Sequence, residues 1–224
     1  NFNNLGLKQL ITTSYKPSPV ANTQIELFGN NEKSSQSKGR PKITANKFII
    51  NEVGDIDGNG EFTLKDVAEQ LKLNKNNEWQ PLKEDGDFRS VECIELLKQS
   101  DIVITNPPFS LFREYIQQLF DYNKKFSIIG NINAITYKRV FPMIKKNNVW
   151  LGPTISSGDR EFQVPENYPL TAAGWRIDEK GRKFIRVKGI RWFTNLDHGR
   201  RHQSLSLMSM SDNKKFNKKL LKNP

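Results

Sequence analysis

The stretch DIVITNPPFSLFREYIQQLFDYNKKFSIIG, residues 101–130, indicates the fold class of this chain most clearly. Residues 101–105 hold a continuous apolar run, which is typical of a central parallel strand. Residues 111–122 carry apolar side chains at helical spacing, and residues 126–130 form a second apolar run. A strand, a helix and a strand in this order predict an open α/β sheet with right-handed crossovers.

The sequence on the amino side predicts further elements of the same class. Residues 7–14 predict a short buried strand and residues 47–53 a second strand, while the apolar spacing in 64–73 and 91–98 predicts two helices. Residues 29–42 are polar and poor in side chains that pack, so we expect a surface loop there.

The first strand of residues 101–130 runs directly into Asn106, Pro107, Pro108 and Phe109. In open α/β sheets, ligands bind at the carboxyl ends of the strands. The loop is stiff and extended, because each proline fixes its own φ and keeps the preceding residue out of the α region. Asn106 offers a side-chain oxygen, Pro107 a backbone carbonyl and Phe109 a ring face. The four residues therefore predict a cradle for an amino group on a flat ring.

Such a cradle favours methyl transfer to nitrogen. An amino group that donates two hydrogen bonds is drawn toward tetrahedral geometry, which localises its lone pair for attack on an electrophilic methyl group. The chemistry rests on orientation and electrostatics and requires no strong base. The amine of a nucleobase and the side-chain amide of a protein glutamine both fit. The simplest alternative is that the prolines only end a strand before a helix.

Charge is unevenly distributed along the 224 residues, which carry 35 basic and 24 acidic side chains and a formal charge of +11. Residues 176–224 hold 14 of the basic and four of the acidic side chains, a net charge of +10. Such a block favours a polyanionic partner, with nucleic acid first, although an exposed basic helix end also fits its lysines. Arginines in its first half alternate with aromatic rings of the kind that pack cores or stack on bases. The candidate DNA contacts are Arg191, His198, Arg200 and Arg201.

Residues 55–66, DIDGNGEFTLKD, follow the pattern of an EF-hand calcium loop. The candidate calcium ligands are Asp55, Asp57, Asn59, Glu61 and Asp66. The last position holds aspartate in place of the usual glutamate, and a strand precedes the loop where an EF-hand has a helix. A glycine-rich turn that caps the following helix is therefore the alternative, and bound calcium would act as a structural clip.

The proline corner resembles the motif (D/N/S)-P-P-(Y/F/W) of the amino-methyltransferases that use S-adenosylmethionine. Four segments sharpen this into a resemblance to the EcoRI-type adenine-specific DNA methyltransferases. These segments are EDGDFRS (84–90), DIVITNPPFSLFREYI (101–116), IIGNINAITY (128–137) and GIRWFTNLDHGRRH (189–202). The resemblance implies a Rossmann-like sheet and methylation at N6 of an adenine flipped from double-stranded DNA, as the modification half of a restriction-modification system.

The same resemblance assigns roles to residues of this chain. Phe109 stacks on the flipped base, and Asn106 and Pro107 accept its amino hydrogens. The cofactor-binding residues implied are Asp87 and Phe88 beside the adenine ring of S-adenosylmethionine, and Ser14 and Tyr15 near its ribose. A protein glutamine-amide methyltransferase and an inactive calcium-binding or DNA-binding module are the competing interpretations.

One part of the family pattern is missing from this sequence. No glycine loop follows a buried strand where the methionine end of the cofactor is expected to bind, and the family places an acidic, proline-containing motif upstream of a segment like residues 1–10. We therefore expect residues 1–224 to be a single incomplete methyltransferase domain, with a polar insertion at about 30–80 and the basic segment 176–224. We also expect this piece alone to bind S-adenosylmethionine poorly.

Three features that the sequence lacks bear on the cellular compartment: a membrane span, a signal pattern and a second cysteine. No run approaches the length of a membrane span, and the amino end has no signal pattern. Cys93 is the single cysteine, so no internal disulfide forms. These features predict a cytoplasmic protein.

Overall fold

The computed structural model describes residues 5–17, 45–54, 76–154, 159–164, 166, 168, 170, 174–204 and 207–216. These residues form ten strands, β1 (Leu10–Thr13), β2 (Asn46–Ile50), β3 (Glu78–Pro81), β4 (Ile102–Thr105), β5 (Lys125–Asn131), β6 (Trp150–Leu151), β7 (Arg160–Val164), β8 (Trp175–Ile177), β9 (Lys183–Val187) and β10 (Ile190–Thr194). They also form four α-helices, α1 (Val91–Gln99), α2 (Phe112–Asp121), α3 (Phe141–Lys145) and α4 (Met210–Phe216). Short 3-10 turns occupy Phe109–Leu111, Ile132–Thr136 and Gly199–His202.

The central sheet has the strand order β4-β5-β10-β6. β4 and β5 are parallel, and β10 is antiparallel to both β5 and β6. β6 therefore points the same way as β4 and β5, and β10 alone is reversed. Since the predicted strand, helix and strand of residues 101–130 appear as β4, α2 and β5, this part of the prediction is confirmed.

Helix α2 packs on one face of this sheet. Its buried residues Phe112, Ile116 and Leu119 recur at helical spacing, which places them on one stripe. They join a buried cluster with the sheet residues Phe126, Ile128 and Phe193, and with Ala134, Val140 and Val149. This cluster fixes where α2 begins, and α2 begins three residues after the proline corner ends.

Strand β4 lies at one end of the central sheet and pairs with β5 alone among the described strands. The central position predicted from its apolar run is therefore not observed in this part of the chain. Ile102 and Ile104 are 47% and 68% exposed, because they face away from α2 on a face that the described residues leave open.

The other two sheets are antiparallel and three-stranded, in the orders β1-β2-β3 and β7-β9-β8. The prediction of a buried strand at residues 7–14 is wrong in part: β1 exists, but as an edge strand its residues are exposed or half-buried. The buried strand of that sheet is β2, with Phe48 and Ile50 almost inaccessible. The predicted loop 29–42 and helix 64–73 lie outside the described residues.

Among the described residues, no helix combines the length and apolarity that a membrane span requires.

Candidate active site

The proline corner stands where β4 ends. Asn106 and Pro108 are exposed, Pro107 is buried and Phe109 is half-buried. Pro108 is extended, with φ −56° and ψ 126°, and its carbonyl accepts a hydrogen bond from the Leu111 N–H at 3.0 Å. The chain therefore stays extended through the corner and then turns directly into α2. The Asn106 amide has no hydrogen-bond partner in the part of the chain that the structure describes, so its oxygen is open to a ligand.

A second loop, preceding α1, holds the predicted cofactor residues Asp87 and Phe88. The Arg89 guanidinium grips both oxygens of Asp87, with Nε to Oδ1 at 2.9 Å and Nη2 to Oδ2 at 2.8 Å. The Arg89 backbone N–H donates to the same Oδ1 at 2.8 Å. These hydrogen bonds hold the pKa of the Asp87 carboxyl below its ordinary value, so the loop presents a fixed, ionised carboxylate.

The structure brings Ser14 and Tyr15 beside that loop. The Lys16 N–H donates to the Asp85 carbonyl at 2.8 Å, and a Cβ at Gly86 would lie 2.1 Å from the Ser14 carbonyl oxygen. Gly86 also has φ +79°, a conformation that other residues rarely adopt. Only glycine permits this close approach, which places the end of β1 against the residues just before Asp87.

Helix α2 connects the corner to the loop that holds Asp87 and Phe88, the predicted cofactor loop. Gln118 Nε2 donates to the Phe88 carbonyl at 2.9 Å, and the Tyr115 ring meets the Phe88 ring edge-on at a centroid distance of 4.9 Å. Glu114 reaches Arg89 at 3.2 Å. The predicted methyl-acceptor corner and the predicted cofactor loop are thus held by one helix. None of these three α2 residues was predicted from the sequence, although they share one helix face.

Comparison with known proteins identifies the family to which this arrangement belongs. The family described as adenine-specific methyltransferase EcoRI matches residues 1–220. The chain belongs to this family. The resemblance seen in the sequence is confirmed.

Individual relatives agree with the family assignment. The chain is 41% identical over 207 residues to the Type II methyltransferase M.EcoRI of Escherichia coli, a match that covers 92% of this chain and 55% of the relative. It is 42% identical over 118 residues to the Type II methyltransferase M.MpnI of Mycoplasma pneumoniae, covering 52% of this chain and 37% of the relative. The chain thus spans about half the length, or less, of these curated relatives. No solved structure matches it.

In this member of the EcoRI methylase family, the four predicted DNA contacts do not lie together. Arg191 stands near the start of β10, opposite Gly130 in the second half of β5. His198, Arg200 and Arg201 follow Thr194, which pairs with Ser127 near the beginning of β5. Because β10 runs antiparallel to β5, it ends at the end of the sheet away from the proline corner. Arg201 lies near that end beside Trp150 and Asp197, whereas His198 and Arg200 contact residues in and after β6.

His198, Arg200 and Arg201 are engaged within the protein. His198 Nε2 donates to the Leu151 carbonyl at 3.1 Å, and Arg200 donates to the Pro153 carbonyl. Arg201 pairs with Asp197 at 3.0 Å and lies 3.8 Å from the centroid of the Trp150 ring. A cleft along β6 and β10 is lined by residues that include His198, Asp197, Trp192 and Ser127.

The candidate calcium ligands Asp55, Asp57, Asn59, Glu61 and Asp66 lie outside the described residues. Within the described ranges, no group of three or more His, Cys, Asp or Glu side chains is arranged to hold a metal ion.

Proposed function

We propose that the protein transfers a methyl group from S-adenosylmethionine to N6 of an adenine flipped out of double-stranded DNA, as the modification half of a restriction-modification system. One observation carries the proposal: in a chain of the EcoRI methylase family, an open Asn106 amide follows β4 and is joined through α2 to the Asp87–Phe88 loop. The Type II methyltransferase names of its relatives support the same reaction.

The described residues fit the adenosine end of the cofactor. Gly86 lets the end of β1 pack against the loop, Asp87 supplies an ionised carboxylate for polar hydrogens and Phe88 supplies a ring face. When bound, S-adenosylmethionine supplies an electrophilic methyl group on a sulfonium. The order of the central sheet, with one reversed strand between β5 and β6, supports a Rossmann-like arrangement around that site.

The proline corner orients the acceptor amine. Its two hydrogens are donated to Asn106 Oδ1 and to the Pro107 carbonyl, which leaves the nitrogen lone pair directed at the methyl group. With S-adenosylmethionine bound, its sulfonium would give the methyl group to this lone pair and leave as the neutral thioether. The proton lost from the nitrogen would go to solvent, so the chain would need no side-chain base. Phe109 holds the base plane by stacking.

The test measures the rate at which the full-length protein and its Asn106→Ala variant transfer an isotope-labelled methyl group to duplex DNA. Loss of an orienting acceptor is expected to lower kcat by roughly 10²–10³-fold. Asn148→Ala is the matched control, because Asn148 is also exposed but lies after α3, and its rate should equal that of the wild type. Equal rates for Asn106→Ala and wild type contradict the proposal.

The amide alternative is separated in the same assay. Label on adenine is released by nuclease treatment, whereas label on a glutamine amide is released by protease treatment. Binding of the DNA substrate also weakens steeply with salt, because phosphate contacts release counterions. Protease-sensitive label would assign the corner to a protein amide.

A further inference from the structure

Three segments at the carboxyl edge of the central sheet carry five basic side chains and no acidic ones. They leave β4 and β5 or enter β10 and are residues 105–113, 131–140 and 188–194; Glu114, which follows the first, pairs with Arg89. They contain no aspartate or glutamate, and their basic residues are Arg113, Lys138, Arg139, Lys188 and Arg191. We name these five residues the basic edge.

Contacts between the segments join the basic edge into one surface around the corner. Asn131 Nδ2 donates to the Lys188 carbonyl at 3.1 Å, and the Ile132 N–H donates to the Gly189 carbonyl at 2.7 Å. The Arg113 guanidinium lies 5.6 Å from the centroid of the Tyr137 ring. Arg113 itself is four residues beyond Phe109, so this surface begins at the proline corner.

The basic edge is not neutralised from within the protein. Among the described residues, no carboxylate forms an ion pair with any of its members. By contrast, arginines elsewhere are paired, such as Arg176 with Glu161 at 2.8 Å and Arg182 with Asp178 at 2.7 Å. A paired guanidinium must lose its carboxylate before it can neutralise a phosphate, so the unpaired set attracts a polyanion more strongly.

The opposite end of the sheet has mixed charge. Asp101 precedes β4, Asp121 ends α2, and Asp197 follows β10 where it pairs with Arg201. The uncompensated positive charge around the central sheet thus faces the end where the methyl-accepting base is proposed to bind. The high arginine and lysine content after residue 176 does not reveal this, because it counts paired and unpaired side chains alike.

We propose that the basic edge binds the phosphates of duplex DNA on both sides of the flipped adenine, and that Arg201, held between Trp150 and Asp197, does not. This inference rests on the proposed function, since it takes DNA as the substrate. It adds four residues, Arg113, Lys138, Arg139 and Lys188, to Arg191, and it moves the DNA contacts to the proline-corner end of the sheet.

The experiment measures DNA affinity of the full-length protein from 50 to 200 mM salt. The double variant Lys138→Gln/Arg139→Gln should lower the slope of log K against log salt by about 2, and Lys188→Gln by about 1. The control is Lys145→Gln/Lys146→Gln, an exposed basic pair at the carboxyl end of α3, away from this edge, with the same effect on net charge. The control slope should be unchanged.

Three results overturn the inference: unchanged slopes in both test variants, an equal loss of slope in the control, or a loss of slope in Arg200→Gln alone. The melting temperatures of the variants at residues 138, 139, 145, 146 and 188 should match that of the wild type, because these side chains are exposed. The charge-preserving variant Lys138→Arg/Arg139→Lys should keep the wild-type slope. Wild-type protein that neither binds nor methylates DNA contradicts the proposed function itself, so the two failures are distinguishable.

Discussion

Gly130 lies directly against the ring of Phe112. A Cβ at Gly130 would lie 2.5 Å from Cε2 of that ring and 3.0 Å from the Phe193 ring, well inside normal contact distance. The start of α2 can therefore approach β5 only where glycine stands. Since the proline corner leads into this helix, the approach also sets the position of Asn106 over the edge of the sheet.

Substitution of Gly130 by alanine is expected to destabilise the protein by about 1–3 kcal/mol, because the added methyl group pushes Phe112 and its helix away from the sheet. Chemical denaturation measures this change. Gly199→Ala is the matched control, because a Cβ there has nothing within 4 Å, and its stability should be close to that of the wild type. Equal stability of the two variants would show that the contact between Phe112 and Gly130 is not tight enough to exclude a methyl group.

The hydrogen bond from Gln118 to the Phe88 carbonyl predicts a specific effect on cofactor binding. In Gln118→Met the side chain keeps its length but loses its donor, so the cofactor loop loses one anchor to α2. A bond of about 0.5–1.5 kcal/mol corresponds to roughly a 2–10-fold rise in KM for S-adenosylmethionine, with kcat little changed. Steady-state kinetics at varied cofactor concentration measures KM and kcat separately.

Gln117→Met supplies the control for that experiment. Gln117 is the adjacent helix residue, and its amide bonds to Asp121 on the same helix and not to the loop. Its KM for the cofactor should stay at the wild-type value. A fall in kcat with unchanged KM in Gln118→Met would contradict the assignment of an anchoring role.

The ion pair between Arg89 and Asp87 predicts how stability depends on acid. The hydrogen bonds from Arg89 lower the pKa of Asp87 in the folded protein below its ordinary value of 3.8. The unfolded chain therefore binds the proton first, and the stabilisation is complete above pH 3.8 and is lost as pH falls through the folded pKa. Arg89→Gln should make the melting temperature depend less steeply on pH below 3.8, as measured by thermal unfolding across an acid series.

Arg139→Gln is a suitable comparison, because Arg139 forms no ion pair among the described residues. Its acid profile should follow that of the wild type. If Arg89→Gln also follows the wild type, the guanidinium does not set the protonation of Asp87.

The elements that sequence alone predicted are those whose signals are local. Each of these signals lies within a few residues: the apolar run in β4, the helical spacing of α2 and the two prolines between them. The strand, the helix and the extended corner that joins them could therefore be predicted. The contact of Ser14 with Gly86 joins positions far apart in the chain and has no local signal. Strands such as β7 and β9 mix charged and apolar side chains in five residues, which is too weak a pattern to separate from a loop.

The positions of the predicted DNA contacts depend on strand pairing, which amino-acid composition does not reveal. Whether residues after β10 lie near the corner depends on contacts between distant parts of the chain: β10 pairs with β5, more than 50 residues earlier, and the residues after β10 contact residues 150–153 in and after β6. Arginine content alone therefore grouped Arg191 with Arg201, which the sheet places at opposite ends.

These two arginines give the last prediction. Arg201→Gln removes the stacking on Trp150 and the pair with Asp197, so it should lower the melting temperature by roughly 1–4 °C and leave the salt dependence of DNA binding unchanged. Arg191→Gln should lower the salt slope by about 1 and change the melting temperature less, because the guanidinium of Arg191 donates only to the adjacent Ile190 carbonyl among the described residues. The two variants carry the same change in charge, so each controls for the other. A loss of slope in Arg201→Gln equal to that in Arg191→Gln would place DNA at both ends of the sheet.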